Sequence, residues 1–229
     1  MVIIKGMVES SFIDYPGKIA LVVFTAGCNF HCHYCHNPEL VNPTPPFISE
    51  EKILLKLEKK REWLDAVVIS GGEPTLHPDL PEFIKKIKDE TGLLVKLDTN
   101  GSNPEMLKEL INEKLIDYVA MDVKAPIEKY EKITQMKCEP SKIKQSIDII
   151  RSADIDYEFR TTILPSLITE KDLLQLGYLL EGSELFVIQT FRNKTTLNET
   201  YQTQPSYLIP ETQHFVRILK PFFKKVISR

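Results

Sequence analysis

Six apolar runs of strand length recur along this chain, and each is followed by an amphipathic stretch with helical spacing. The runs cover residues 19–25, 66–70, 93–98, 118–123, 157–164 and 185–190, and several are almost continuously Val, Ile and Leu. Unbroken apolar runs suit strands covered on both faces, as parallel strands in α/β proteins are. Helices fit the intervals. Ser49 caps one that runs to about Arg61, with Glu50 and Glu51 in its positive first turn. A second spans 80–90 and stops before Gly92, and Asn103-Pro104 opens a third. Residues 141–152 and 169–180 supply two more, and a last helix is expected from 210 towards 227, kinked or broken near Pro221. Strand–helix order repeated six times implies parallel strands with right-handed crossovers in a single domain.

The rest of the chain frames those units. Residues 1–18 read as an extended N-terminal cap ending in the turn Asp14-Tyr15-Pro16-Gly17, residues 19–190 hold the six units, and 191–229 hold a polar loop and the last helix. The stretch 192–207 is too long to be a mere connector. At 229 residues a barrel or a doubly wound sheet fits as one unit. With 29 Lys and Arg against 32 Asp and Glu, the net charge of −3 argues against general nucleic-acid binding. There is no membrane-length apolar run, and the first residues carry charge where a secretion signal is apolar, so a soluble cytoplasmic protein is expected.

The chemistry-bearing residues follow the strands. Cys28 to Cys35 follow the first, Gly71-Gly72-Glu73-Pro74 the second and Asp98-Thr99-Asn100-Gly101 the third. Asp122-Val123-Lys124 end the fourth, Arg160 lies in the fifth, and Gln189 closes the sixth. In barrels of parallel strands, catalytic groups gather at the carboxyl ends of the strands. Three of the four cysteines, Cys28, Cys32 and Cys35, share one loop, which suits metal or redox chemistry better than a disulfide framework. Thiolates favour iron–sulfur clusters or zinc. Three of them would grip three irons of a 4Fe–4S cube and leave the fourth open. A structural zinc with His31, His33 or His36 as fourth ligand is the plainer alternative. Cys138 reads as an ordinary cysteine in a charged connector, although it could serve as a fourth ligand.

The spacing C-x3-C-x2-C with Tyr34 before the last cysteine, followed one strand later by Gly-Gly-Glu-Pro, resembles the radical S-adenosylmethionine (SAM) enzymes. The resemblance covers essentially the whole chain. It implies a partial (β/α)6 barrel, a 4Fe–4S cluster with one open iron, and reductive cleavage of SAM to a 5′-deoxyadenosyl radical. It assigns the cluster to Cys28, Cys32 and Cys35, and the SAM shell to Tyr34, Gly71, Gly72, Glu73, Asp98, Asn100, Lys124, Arg160 and Gln189. Ion pairs of Lys124 and Arg160 with Asp98, Asp122 or Glu158 are the rival explanation for the two cations.

Two further segments sharpen the likeness. Phe12-Ile13-Asp14-Tyr15-Pro16-Gly17 and Tyr34-Cys35-His36-Asn37-Pro38 look like the glycyl-radical-enzyme activases, most of all those for anaerobic ribonucleoside-triphosphate reductase. That implies a glycyl-radical enzyme as protein substrate and an external one-electron donor such as flavodoxin or ferredoxin. It also implies Na⁺ or K⁺ held against the SAM carboxylate by Asp98 and Asp122. There are departures: Gln189 stands where related activases usually carry histidine, and no cysteines remain for additional clusters. The alternatives are a small-molecule radical SAM enzyme resembling 7-carboxy-7-deazaguanine synthase and a non-catalytic zinc module.

Overall fold

The computed structural model describes residues 1–229. Eight strands form one sheet in chain order: β1 (Ile4–Ser11), β2 (Ala20–Thr25), β3 (Ala66–Gly71), β4 (Leu94–Thr99), β5 (Tyr118–Asp122), β6 (Asp156–Ile163), β7 (Ser183–Thr190) and β8 (Phe223–Ser228). Strands β2 to β8 run parallel, and β1 is antiparallel to β2. β1 and β8 lie at opposite ends of that order, so the barrel is partial and open on one side. The six expected strands are β2 to β7.

The intervening helices are α1 (Pro38–Val41), α2 (Glu50–Lys60), α3 (Leu80–Thr91), α4 (Pro104–Asn112), α5 (Tyr130–Thr134), α6 (Pro140–Ser152), α7 (Glu170–Leu179) and α8 (Ile209–Leu219). Their ends follow local chemistry. Ser49 accepts the Lys52 amide at the start of α2, Asn103 accepts the Met106 amide at α4, and Thr169 with Asp172 closes a reciprocal cap on α7. Gly92 ends α3 in the left-handed region at φ +68°.

Strand alternation sorts the two faces. Leu21, Val23, Val67, Ile69, Val95, Leu97, Val119 and Met121 belong to the main core with the helices. Their neighbours Ala20, Val22, Ala66, Val68, Tyr118 and Ala120 form a separate small cluster with Tyr15. Small side chains on the second face leave room inside the curl, and polar residues of the same parity follow them up the strands: Ser70, Lys96, Asp98, Asp122, Glu158, Arg160 and Thr162. Registration sets these in rows, with Asp98 beside Ala120 and Glu158 beyond it, and Asp122 directly beside Arg160.

Both ends of the chain differ from expectation. Much of the N-terminal extension is strand β1, and the last helix stops at Leu219. Pro221 has no N–H to donate, so the helix gives way to a short 3-10 turn over Lys220–Phe222. The chain then enters β8, where Phe223 and Val226 are buried and Lys224 and Lys225 stay exposed. Phe223 stacks on Phe186 of β7 with ring centres 4.8 Å apart, an aromatic contact that a continued helix would forgo.

Candidate functional site

The carboxyl ends of the parallel strands border one cavity of about 570 Å³. It receives Cys28, Cys32, Tyr34 and Cys35, Gly71 to Glu73, Asp98 and Asn100, Asp122 and Lys124, Arg160, and Gln189. Every residue assigned to the cluster, the SAM shell or the cation in the sequence therefore meets the same space. Cys138 does not. It lies beside a smaller depression with Phe30 and Lys142.

The cysteine loop is held by its surroundings. Gly27 donates its amide to Leu40 at 2.7 Å, and the Gly27 carbonyl accepts the Glu73 amide at 2.8 Å. The His77 ring contacts the Ala26 carbonyl at 3.1 Å, and His31 donates its amide to Thr134 at 2.8 Å. Asn29 bonds Ser102 and Asn100 on the β4 loop at 2.8 and 2.9 Å. Within the loop the Phe30 amide donates to the Cys28 sulfur at 3.4 Å, an arrangement that favours thiolate. Burial pushes the Cys28 thiol up to about 12 and raises Cys32 as well. Both thiols therefore remain protonated near neutral pH until a metal displaces the protons.

No three His, Cys, Asp or Glu side chains converge on one ion. Ligands of a multi-iron cluster bind separate irons and do not need to converge. The donor set, the Phe30 amide on sulfur and the buried, unpartnered Tyr34 hydroxyl in the cavity all suit a cluster with an organic ligand beside it.

Gly71-Gly72-Glu73-Pro74 has a packing role of its own. A Cβ at Gly71, which sits at φ +126°, would fall 2.3 Å from the Thr25 amide nitrogen. One at Gly72 would fall 1.9 Å from the Gly27 carbonyl oxygen. Both glycines let β3 lie against the base of the cysteine loop. Glu73 is 1 % exposed and hydrogen-bonded throughout. Oε1 accepts from Thr75 N at 3.1 Å, Thr75 Oγ1 at 2.6 Å and Thr99 Oγ1 at 2.7 Å; Oε2 accepts from Asn100 N at 2.6 Å. Burial raises its pKa, and these bonds only partly offset that.

The charges inside the barrel form one chain. Arg160 donates through Nε to Asp122 at 2.7 Å and lies 3.4 Å from Asp98 and 3.9 Å from Glu158. Lys124 reaches the other Asp122 oxygen at 2.9 Å. The buried Lys96 pairs with Asp98, to which Ser70 also donates at 3.1 Å. Arg229 spans Glu158 at 3.2 and 3.3 Å, and Tyr118 donates to the same carboxylate at 3.2 Å. Gln189 accepts from Thr162 at 3.4 Å. Burial alone would raise Asp98 and Asp122, but Arg160, with Lys96 at the first and Lys124 at the second, holds both below the ordinary carboxylate range. The ion pairs weighed as the rival explanation for Lys124 and Arg160 are thus present.

Lys96 and Arg229 carry no motif in the sequence. A lysine inside the apolar run Leu-Val-Lys-Leu, two residues before Asp98 and so on its face, was the available signal.

Residues 22–176 match the Radical SAM superfamily. This chain belongs to that superfamily. A candidate glycyl-radical enzyme activating enzyme of Methanocaldococcus jannaschii is 35% identical over 231 residues, covering 99% of this chain and 95% of its own length. The pyruvate formate-lyase-activating enzyme of Clostridium pasteurianum is 29% identical over 178 residues, 74% of this chain and 71% of that protein. Among solved structures, Streptococcus suis SuiB bound to its precursor peptide SuiA superposes with a TM-score of 0.72 at 11% identity, covering 91% of this chain. The chain spans about half of SuiB, 48% of its length, and the likeness shows a shared fold. No helix is long and apolar enough to cross a membrane.

Proposed function

We propose that this protein is an activating enzyme that removes a hydrogen atom from a glycine Cα of a partner enzyme in the cytoplasm. In this reading a 4Fe–4S cluster sits on Cys28, Cys32 and Cys35, and SAM lies between it and the strand ends. The observation that carries it is the meeting of all three cysteines, Glu73 and the polar ends of β4 to β7 around one cavity. The relative matched along nearly its full length supports the substrate class. The segments Phe12–Gly17 and Tyr34–Pro38 favour anaerobic ribonucleoside-triphosphate reductase as partner.

When bound, the cluster and SAM supply a one-electron cleavage of a C–S bond, the electron coming from a donor such as flavodoxin or ferredoxin and the glycine hydrogen ending on 5′-deoxyadenosine. The chain's own residues bind and orient. Glu73 Oε2 has one protein donor, Asn100 N, and so retains a lone pair for the SAM ammonium. Lys124 and Arg160 offer cations for the SAM carboxylate, sharing them with Asp122. The Tyr34 hydroxyl and Gln189 add polar contacts to the same cavity. The activase likeness adds Na⁺ or K⁺ at Asp98 and Asp122 beside the SAM carboxylate, an ion that would share these two side chains with Arg160, Lys96 and Lys124.

The test is anaerobic: reconstituted protein, reductant and SAM are mixed with the reductase, and EPR follows the glycyl radical. The reading expects a radical doublet on the reductase only when all components are present. Robust SAM cleavage with no radical on any glycyl-radical partner, and with hydrogen transferred instead from a small-molecule precursor that yields a 7-deazapurine, would replace it with a small-molecule reaction.

A further inference from the structure

We infer that residues 192–207 form a strap that positions the third cluster cysteine, acting through the backbone amides of Leu197 and Asn198; this rests on the cluster reading above. The strap runs antiparallel to the cysteine loop. Leu197 N–H donates to the Cys35 carbonyl and Asn198 N–H to the His33 carbonyl, both at 2.9 Å. The His36 ring lies 3.1 Å from the Thr195 carbonyl and stacks on Phe191 with centres 5.3 Å apart. All hydrogen bonds that residues 33–36 make to distant parts of the chain go to this strap. The Cys28 side of the loop is fastened separately, through Gly27 and His31.

The strap is organised to present those amides. Ser206 donates to the Phe191 carbonyl at 2.7 Å and closes its base, so the segment is a compact loop held by its own contacts. Thr196 is buried and donates to the Asn198 carbonyl at 2.8 Å. The Asn198 side chain accepts from Thr200 N and Oγ1 at 3.0 and 2.8 Å and caps the 3-10 turn Glu199–Thr203. Asn198 is therefore a positioning residue. It touches neither cluster nor substrate, and it sets the angle at which two amides meet the Cys35 end of the loop.

The test compares the parent with Asn198→Ala, Asn198→Asp and Leu197→Pro, the last deleting one of the two donated N–H groups. In metal-free protein, alkylation by iodoacetamide is followed at each cysteine by mass spectrometry, with Cys138 as the internal reference. Losing the strap's hold should raise the Cys35 rate about tenfold in Asn198→Ala and Leu197→Pro, with Cys138 unchanged and Asn198→Asp near the parent. In reconstituted protein the same two variants should release iron to a chelator faster by a similar factor, with an altered EPR spectrum of the reduced cluster. A Cys35 rate equal to the parent in both variants overturns the inference. So does a Cys138 rate that rises in step, because that reports general loosening. If the parent itself takes up no cluster, the cluster reading fails instead, and the alkylation arm still reports on the strap.

Discussion

An alanine at Gly72 would place its Cβ 1.9 Å from the Gly27 carbonyl oxygen and 2.5 Å from the carbonyl carbon. Opening that contact to 3.0 Å demands a shift of about 1 Å, and the atoms that must move are backbone. The same carbonyl accepts the Glu73 amide at 2.8 Å, so the shift also loosens the bond that fixes Glu73 to the base of the cysteine loop. Overpacking of this kind costs about 1–3 kcal/mol and the hydrogen bond about 1 kcal/mol more. For a chain of this size the unfolding temperature should fall by roughly 2–4 °C per kcal/mol. The assay is thermal and urea unfolding of the metal-free protein, with iron per chain measured after anaerobic reconstitution. Both stability and iron loading should fall. If the glycine served only to admit SAM, metal-free Gly72→Ala would unfold with the parent, and that result would refute the packing argument.

Four further outcomes are expected. Cys28→Ala, Cys32→Ala and Cys35→Ala should each abolish the 4Fe–4S absorption while Cys138→Ala retains it; loss through Cys138 alone would reverse the ligand assignment. Glu73→Gln can keep its oxygen for the three donors on Oε1 but turns an NH2 towards the Asn100 N–H and the SAM ammonium, so the cluster should persist while SAM binds about 10–150-fold more weakly by isothermal titration. Asp98 and Asp122 bind protons less readily folded than unfolded, so their stabilisation is complete above the unfolded carboxylate pKa near 3.9 and is lost as pH falls through the folded values. Urea midpoints from pH 3 to 7 should show that acid arm, and Asp122→Asn should flatten it. SAM cleavage should need Na⁺ or K⁺ over a tetramethylammonium background, with the dependence blunted in Asp122→Asn; equal rates in both salts would remove the ion site.

Much of this architecture was legible because parallel strands buried on both faces write themselves as apolar runs, and the polar residues that interrupt them fall at the carboxyl ends. The runs at 66–70 and 118–123 are of this kind. The two outer strands were not legible, and for different reasons. β1 mixes Lys5, Gly6 and Glu9 into its length, which masks alternation, and its place is set by pairing with β2. β8 follows a helix whose apolar spacing continues into Phe222 and Phe223, and its pairing with β7, with Phe223 stacked on Phe186, decides for a strand. In the site, motif spacing singled out Gly71, Gly72 and Glu73 but not what they touch. Thr99 and Asn100 on Glu73, and Gly27 against Gly72, are neighbours across strands, and one chain's spacing does not encode them. The length of the stretch 192–207 marks it as more than a connector, but its bonds to Cys35 and His33 use backbone amides that any sequence would carry.

The central claim, that the hydrogen acceptor formed in this cavity acts on a protein glycine, is tested most directly by isotope transfer. Anaerobic ribonucleoside-triphosphate reductase is prepared with [2,2-²H2]glycine and mixed with reconstituted enzyme, SAM and reductant, and the 5′-deoxyadenosine is analysed by mass spectrometry. The account predicts one deuterium per 5′-deoxyadenosine in step with the glycyl radical, and none from unlabelled reductase. Undeuterated 5′-deoxyadenosine from the labelled partner, with hydrogen drawn instead from a small molecule, would contradict it.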